Sequence, residues 1–275
     1  MTEERPPQPS PEDKSSAPKA TPLPSATVLL LREGATDMEV FMVVRHHQID
    51  FASGALVFPG GKADAADFNP ELRAVTDGGA EDPDELAVQL AAIRECFEEC
   101  GVLLARDARG QLIGSKRLSQ LEAFREPLNS GDLTLKEFVR QESLRLAADL
   151  LVPFARWITP DMMPKRFDTW FYLVAAPTDQ LAVHDGYESV DSIWISPATA
   201  LSEAAAGQRT IIFPTLRNLE KLALSNTPAA AMEAAAAEPL VTVEPWTEQR
   251  EEGVFLCIPK NAGYPVTEEP MQSRH

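Results

Sequence analysis

The chain is short of cysteine, histidine and positive charge, and each shortage removes a class of function. Three cysteines and four histidines in 275 residues are too few for a disulfide framework. Cys96 and Cys100 also lack a second Cys/His pair to complete a tetrahedral zinc site. They read as reduced thiols packed in a core, in a cytoplasmic setting. Lys and Arg number 25 against 42 Asp and Glu, for a net charge of −17. No basic field therefore exists to hold a nucleic-acid polymer or an anionic membrane surface. No run approaches the ~18 apolar residues of a membrane span. Residues 1–24, rich in Pro, Ser and charge, lack the apolar segment of a secretory signal and are expected to form a disordered tail. No internal repeat is present.

What is present is enough apolar material, 44% of the chain, to bury a sizeable core. Residues 26–32 and 40–45 predict two strands joined by a polar turn, a plausible hairpin. Residues 86–100 have helical periodicity, and 133–151 show a second helical pattern. Residues 154–159 and 167–175 predict strands, and 192–195 a shorter one before a Pro-started helix at 197–206. Further helices are expected over 214–224 and 229–237, with extended chain at 240–246 and 254–259. This order predicts an α/β class, a mixed sheet with helices on its faces.

The residues that carry chemistry lie on the 86–100 helix. Glu95, Glu98 and Glu99, spaced i, i+3 and i+4, project from one face beside the apolar stripe of Leu90, Ile93 and Phe97. Like charges at that spacing repel, so the face is either solvated or neutralised by a divalent cation. Upstream, Ala55 to Lys62 reads as a short buried strand broken by Pro59 and by Gly60 and Gly61. Together the two segments resemble the Nudix box, G-x5-E-x7-R-E-U-x-E-E-x-G-U with U aliphatic. Gly61, Arg94, Glu95, Glu98, Glu99, Gly101 and Val102 match it, with Cys96 at the first U. Gly61 and Arg94 stand nineteen residues further apart than the pattern allows, and the first Glu has no partner in register. Glu85 is the nearest, one residue too far from Arg94. The excess predicts an inserted loop near 63–83 that leaves the acidic face intact.

The resemblance covers residues 25–205 and implies a Nudix-type α/β/α sandwich, with 206–275 as a C-terminal extension of extra helices packing on the same domain. It further implies hydrolysis of a phosphoanhydride, with Mg2+ or Mn2+ held by the Gly60 carbonyl, Glu95, Glu98 and Glu99, and with Arg94 supporting. Glu188, in preference to Asp185, is the expected extra acid. Arg166 to Phe171 and Trp194 to Pro197 are similar to the acyl-coenzyme A diphosphatase branch, whose box also carries an insertion. The expected partner is thus a small nucleotide, coenzyme A or its acyl form, with Arg45 and Arg166 meeting phosphate. Alternatives are an ADP-ribose or nucleotide-sugar pyrophosphatase and a non-catalytic nucleotide sensor, and a homodimer is left open. His46 and His47 are read as solvated, and Trp170 and Tyr172 as sheet packing.

Overall fold

The computed structural model describes residues 20–45, 54–180, 182 and 189–271. In chain order, β1 (Leu23–Glu33) and β2 (Met38–Arg45) are followed by the short β3 (Leu56–Val57), β4 (Gly60–Lys62) and β5 (Thr76–Asp77). Then come α1 (Pro83–Cys100), β6 (Ala105–Arg106), α2 (Ser115–Leu121), α3 (Arg125–Asn129), α4 (Leu135–Gln141) and β7 (Arg145–Ala147). The long strands β8 (Val152–Ile158), β9 (Phe167–Ala175) and β10 (Ser189–Ile195) precede helices α5 (Pro197–Ala205), α6 (Phe213–Leu222) and α7 (Pro228–Ala237). β11 (Thr242–Val243), β12 (Trp246–Arg250), β13 (Gly253–Cys257) and β14 (Glu268–Pro270) end the described chain.

The main sheet runs β10-β2-β1-β9-β8-β11 and is mixed, with β1–β9 and β8–β11 parallel and the other neighbours antiparallel. β1 is buried on both faces, so its Val-Leu-Leu-Leu run shows little alternation. Val28 and Leu30 face the core under α1, while Leu29 and Leu31 face a second core shared with α5, α6 and α7. The fold is therefore an α/β/α sandwich. The expected hairpin splays apart: β1 pairs with β2 only over Leu31–Glu33. At its other end β1 pairs with β4 over Ser25–Thr27, and β3 pairs with Val43 and Val44 of β2. That splay wedges the glycine turn into the sheet beneath α1.

Two expectations are corrected. The segment near 63–83 is built structure: a 3-10 turn at Pro70–Val75 buries Leu72 completely, and β5 joins β7 and β6 in a second small sheet. The 133–151 pattern is helical only over α4. Its capping box at Thr134 and Glu137 starts the helix, and Ser143, at φ 55, ends it and turns the chain into β7. Among the described residues, no helix is long and apolar enough to cross a membrane.

Residues beyond 206 share the second core, through Leu219, Leu222, Ala231, Val243, Ile258 and Tyr264. A buried polar chain crosses this layer: Trp157 Nε1 donates to Tyr264 Oη at 2.8 Å, which donates to Asn218 Oδ1 at 2.9 Å. Tyr264→Phe strips both bonds and leaves two buried groups unpaired. It should lower stability by about 1–3 kcal/mol in urea unfolding; an unchanged midpoint would show the network to be energetically idle.

Candidate active site

Helix α1 is fixed at both ends. Asp82 caps the start by accepting from the Asp84 and Glu85 N–H groups, Pro83 opens the first turn, and Gly101, left-handed at φ 70, closes the last. The last turn has no basic residue of its own. Arg125 of α3 supplies one, donating from Nε and Nη2 to the Glu98 carbonyl at 3.1 and 2.9 Å. Two glycines let β4 approach the helix. Gly60 sits at φ 151, where a Cβ would collide with the Ala26 carbonyl, and its N–H donates to Glu99 Oε2 at 2.8 Å. A Cβ on Gly61 would stand 2.6 Å from the Glu95 carboxylate.

Arg94 is the hub. Its Nη1 donates to Glu95 Oε1 at 2.9 Å and to Glu98 Oε2 at 3.0 Å, and its Nη2 donates to the Lys62 carbonyl at 2.9 Å. Asp67 takes the rest, bonding Nε at 3.1 Å and Nη2 at 3.0 Å. Asp67 is 1% exposed and is the site residue that sequence reading missed. Five residues separate it from Gly61, the register of the first Glu of the box, with Asp in place of Glu. The whole excess of nineteen residues thus falls between Asp67 and Arg94. Counted back from Arg94 the register points to Glu85; counted forward from Gly61, with Asp allowed, it points to Asp67. Glu85 lies in the first turn of α1, at the opposite end from the acidic face.

Glu98 is 5% exposed, and its Oε1 has no hydrogen-bond partner among the described residues. Burial pushes its carboxyl up to about 8, an effect that Glu95 adds to and Arg94 opposes. In this geometry no three His, Cys, Asp or Glu side chains among the described residues form a group that could hold a metal ion. Glu95 and Glu98 turn to Arg94, and Glu99 turns to the Gly60 N–H. The donor chemistry nevertheless suits a hard divalent cation: three carboxylates share one helix face, and one buried oxygen is left unsatisfied.

The structure brings Gly60, Arg94, Glu95, Glu98 and Glu99 together and leaves Arg166 out. The Arg166 guanidinium is spent on the carbonyls of Thr159 and Ala20 and on the Glu244 carboxylate at 2.6 Å, and its side chain is 10% exposed. It ties Ala20, Thr159 and Glu244 together beside the start of β9, so its expected role as a free phosphate ligand is withdrawn. Arg45 ends β2, where it pairs with Ser189, but its side chain is outside the described set. His46, His47, Asp185 and Glu188 also lie outside the described residues. Cys96 and Cys100 are buried in the α1 core with sulfurs 3.6 Å apart.

Breaking a buried charge pair strands its partner. Asp67→Asn should therefore cost about 3 kcal/mol in urea unfolding, whereas Glu85→Gln should cost far less; equal losses would remove Asp67 from the hub. Glu98 predicts a pH effect in chelator. Its folded value, about 8, exceeds the ordinary 4.5, so the folded state binds the extra proton and stability falls as pH rises from about 5 to about 8. Glu98→Gln should flatten that slope in melting curves; an unchanged slope would show that Glu98 titrates normally.

Residues 73–222 match the family model described as the NUDT19 Nudix domain. Over 187 residues the chain is 30% identical to a protein of Caenorhabditis elegans named putative nudix hydrolase 7, covering 68% of this chain and 56% of that protein. Over 232 residues it is 22% identical to the Xenopus laevis protein named acyl-coenzyme A diphosphatase NUDT19, covering 70% of this chain and 61% of the other. The chain thus spans about six-tenths of these relatives. The crystal structure of a NUDIX hydrolase from Alicyclobacillus acidocaldarius superposes with a TM-score of 0.70 at 28% identity, covering 80% of this chain and 99% of that one.

Proposed function

The chain belongs to the Nudix hydrolase family, and on that premise we propose that it hydrolyses the phosphoanhydride of a nucleoside diphosphate linked to a second moiety, with coenzyme A or an acyl-coenzyme A as substrate. The observation that carries this reading is the buried Arg94 hub, which holds Glu95 and Glu98 beside the glycine turn while Glu98 Oε1 stays unsatisfied. Glu95, Glu98 and Glu99 would hold a divalent cation, Mg2+ or Mn2+, with the Gly60 carbonyl as a fourth candidate ligand. Such a cation, when bound, neutralises phosphate charge and acidifies water.

The protein's own groups do the positioning. Arg94, anchored by Asp67 and the Lys62 carbonyl, gathers two acids beside the glycine turn, so a cation would need only a local turn of carboxylates already brought together. The Gly60 N–H orients Glu99 in the same way. Arg125 holds the last turn of α1 against unwinding under the crowded negative charge. The coenzyme A assignment draws on the name of the Xenopus relative and on the insertion within the box. Arg45 remains the proposed phosphate ligand and Glu188 the proposed additional acid.

Glu98→Gln and Glu99→Gln keep size and helix propensity but each remove a charge, so turnover should fall on the order of 100-fold without loss of fold. Full activity in both would refute the site. A substrate panel read by mass spectrometry tests the class: coenzyme A should yield 4'-phosphopantetheine and 3',5'-ADP. Cleavage of ADP-ribose with coenzyme A untouched would move the assignment to nucleotide sugars.

A further inference from the structure

The acidic triplet reaches into the last turn of α1. Glu95 lies one turn earlier, whereas Glu98 and Glu99 belong to the final turn, where backbone carbonyls have no helical partner and fraying begins. Gly101, at φ 70, takes the chain out of the helix with its N–H on the Phe97 carbonyl at 3.0 Å. The Glu98 carbonyl therefore never receives the N–H that a longer helix would bring. Two negative charges at a helix C-terminus also oppose the helix dipole. Nothing in α1 itself counters either problem, because its last turn holds no basic residue.

Arg125 counters both, and it comes from beyond the segment that matches the box. Its guanidinium grips the Glu98 carbonyl with two N–H groups, from Nε at 3.1 Å and from Nη2 at 2.9 Å, and its Nη1 donates to Glu122 Oε1 at 2.6 Å. The side chain is 14% exposed, well shielded for an arginine. Gly101 makes room for it: a Cβ there would stand 3.2 Å from Arg125 Nη1. The base of the fork is fixed in turn. Leu121 and Leu128, on either side of Arg125 in the chain, are buried in the same core as Phe97. The Phe138 ring lies against both Phe97 and Phe124, at 5.6 and 5.2 Å between centroids. Glu98 is thereby held at both ends, its carboxylate by Arg94 at 3.0 Å and its carbonyl by Arg125. With Glu95 carried by the body of the helix, the Arg125 fork sets the spacing between the first acid and the other two.

We propose that Arg125 is a positioning residue for the cation site: by holding the Glu98 peptide in helical register, it keeps Glu98 and Glu99 at the spacing from Glu95 that one divalent ion requires. The proposal rests on the metal reading above and adds that a residue outside the box sets the ion's affinity. It is tested with the full chain and Mn2+ alone, the free ion being counted by its paramagnetic resonance signal at a temperature well below melting. Arg125→Ala should bind Mn2+ on the order of tenfold more weakly. Arg125→Lys, which keeps the charge but offers the carbonyl no planar fork, should fall between that variant and the unaltered protein. Guanidinium ion at millimolar concentration, far too dilute to unfold the chain, should restore binding to Arg125→Ala and leave the unaltered protein as it was. A folded Arg125→Ala that binds Mn2+ as tightly as the unaltered protein would overturn the proposal, whatever its melting temperature, because Arg125 would then only hold the fold. Should Arg125→Ala fail to fold, Arg125→Lys decides, and an affinity equal to the unaltered protein's would overturn the proposal there. An unaltered protein that takes up no Mn2+ would instead defeat the metal reading, and the positioning role with it.

Discussion

The site depends on one buried guanidinium. Arg94 lies almost out of solvent among three carboxylates and a carbonyl, and a charge so placed persists only if every N–H finds a partner. Those partners come from three separate stretches of chain: Lys62 after the glycine turn, Asp67 at the mouth of the insertion, and the helix itself. Satisfying one side chain therefore fixes where the turn, the insertion and α1 meet. The acids that would bind a cation are held in place by the same bonds that hold the fold.

That demand explains the splayed hairpin. For the Lys62 carbonyl to reach Arg94, β4 must run in the sheet directly beneath α1, in the place β2 would occupy if it stayed paired with β1 along its length. Pairing with β2 only at Leu31–Glu33 frees the other half of β1 for β4. The close approach then excludes side chains at the two glycines. Gly60 has the Ala26 carbonyl where a Cβ would go, and Gly61 has the Glu95 carboxylate. Backbone shape and acid placement are thus one constraint.

Much of this was legible in the residues. The acidic triplet, the glycine turn and the strand-helix order are local signals, set by spacing and by the conformational freedom of glycine, and the structure brings the triplet and the turn together. What was not legible is tertiary. Asp67 carries no local signature; its role exists only because the chain returns twenty-seven residues later as Arg94. Residues 145–147 continue an apolar pattern that reads as helix, yet they become a strand because β5 and β6 offer unpaired edges. Arg166 looked available because a sequence shows charge without showing partners, and Glu244, far along the chain, is the partner that decided it.

The same pairing bears on how a protein with net charge −17 could meet a diphosphate. On the α1 face Arg94, Arg156 and Arg166 are each bound to carboxylates, and an arginine already neutralised offers an incoming phosphate little net attraction. Freeing any of them would strand a carboxylate partner, and for Arg94 that partner is fully buried. Charge balance at the phosphates must therefore come from groups outside these pairs. A divalent cation on Glu95, Glu98 and Glu99, as proposed, would supply two positive charges without breaking a structural bond of Asp67 or Asp168. On this argument the acidity of the chain favours the metal reading: with Arg94, Arg156 and Arg166 committed to the fold, a cation on the acidic helix would hold an anionic substrate at the least cost to it.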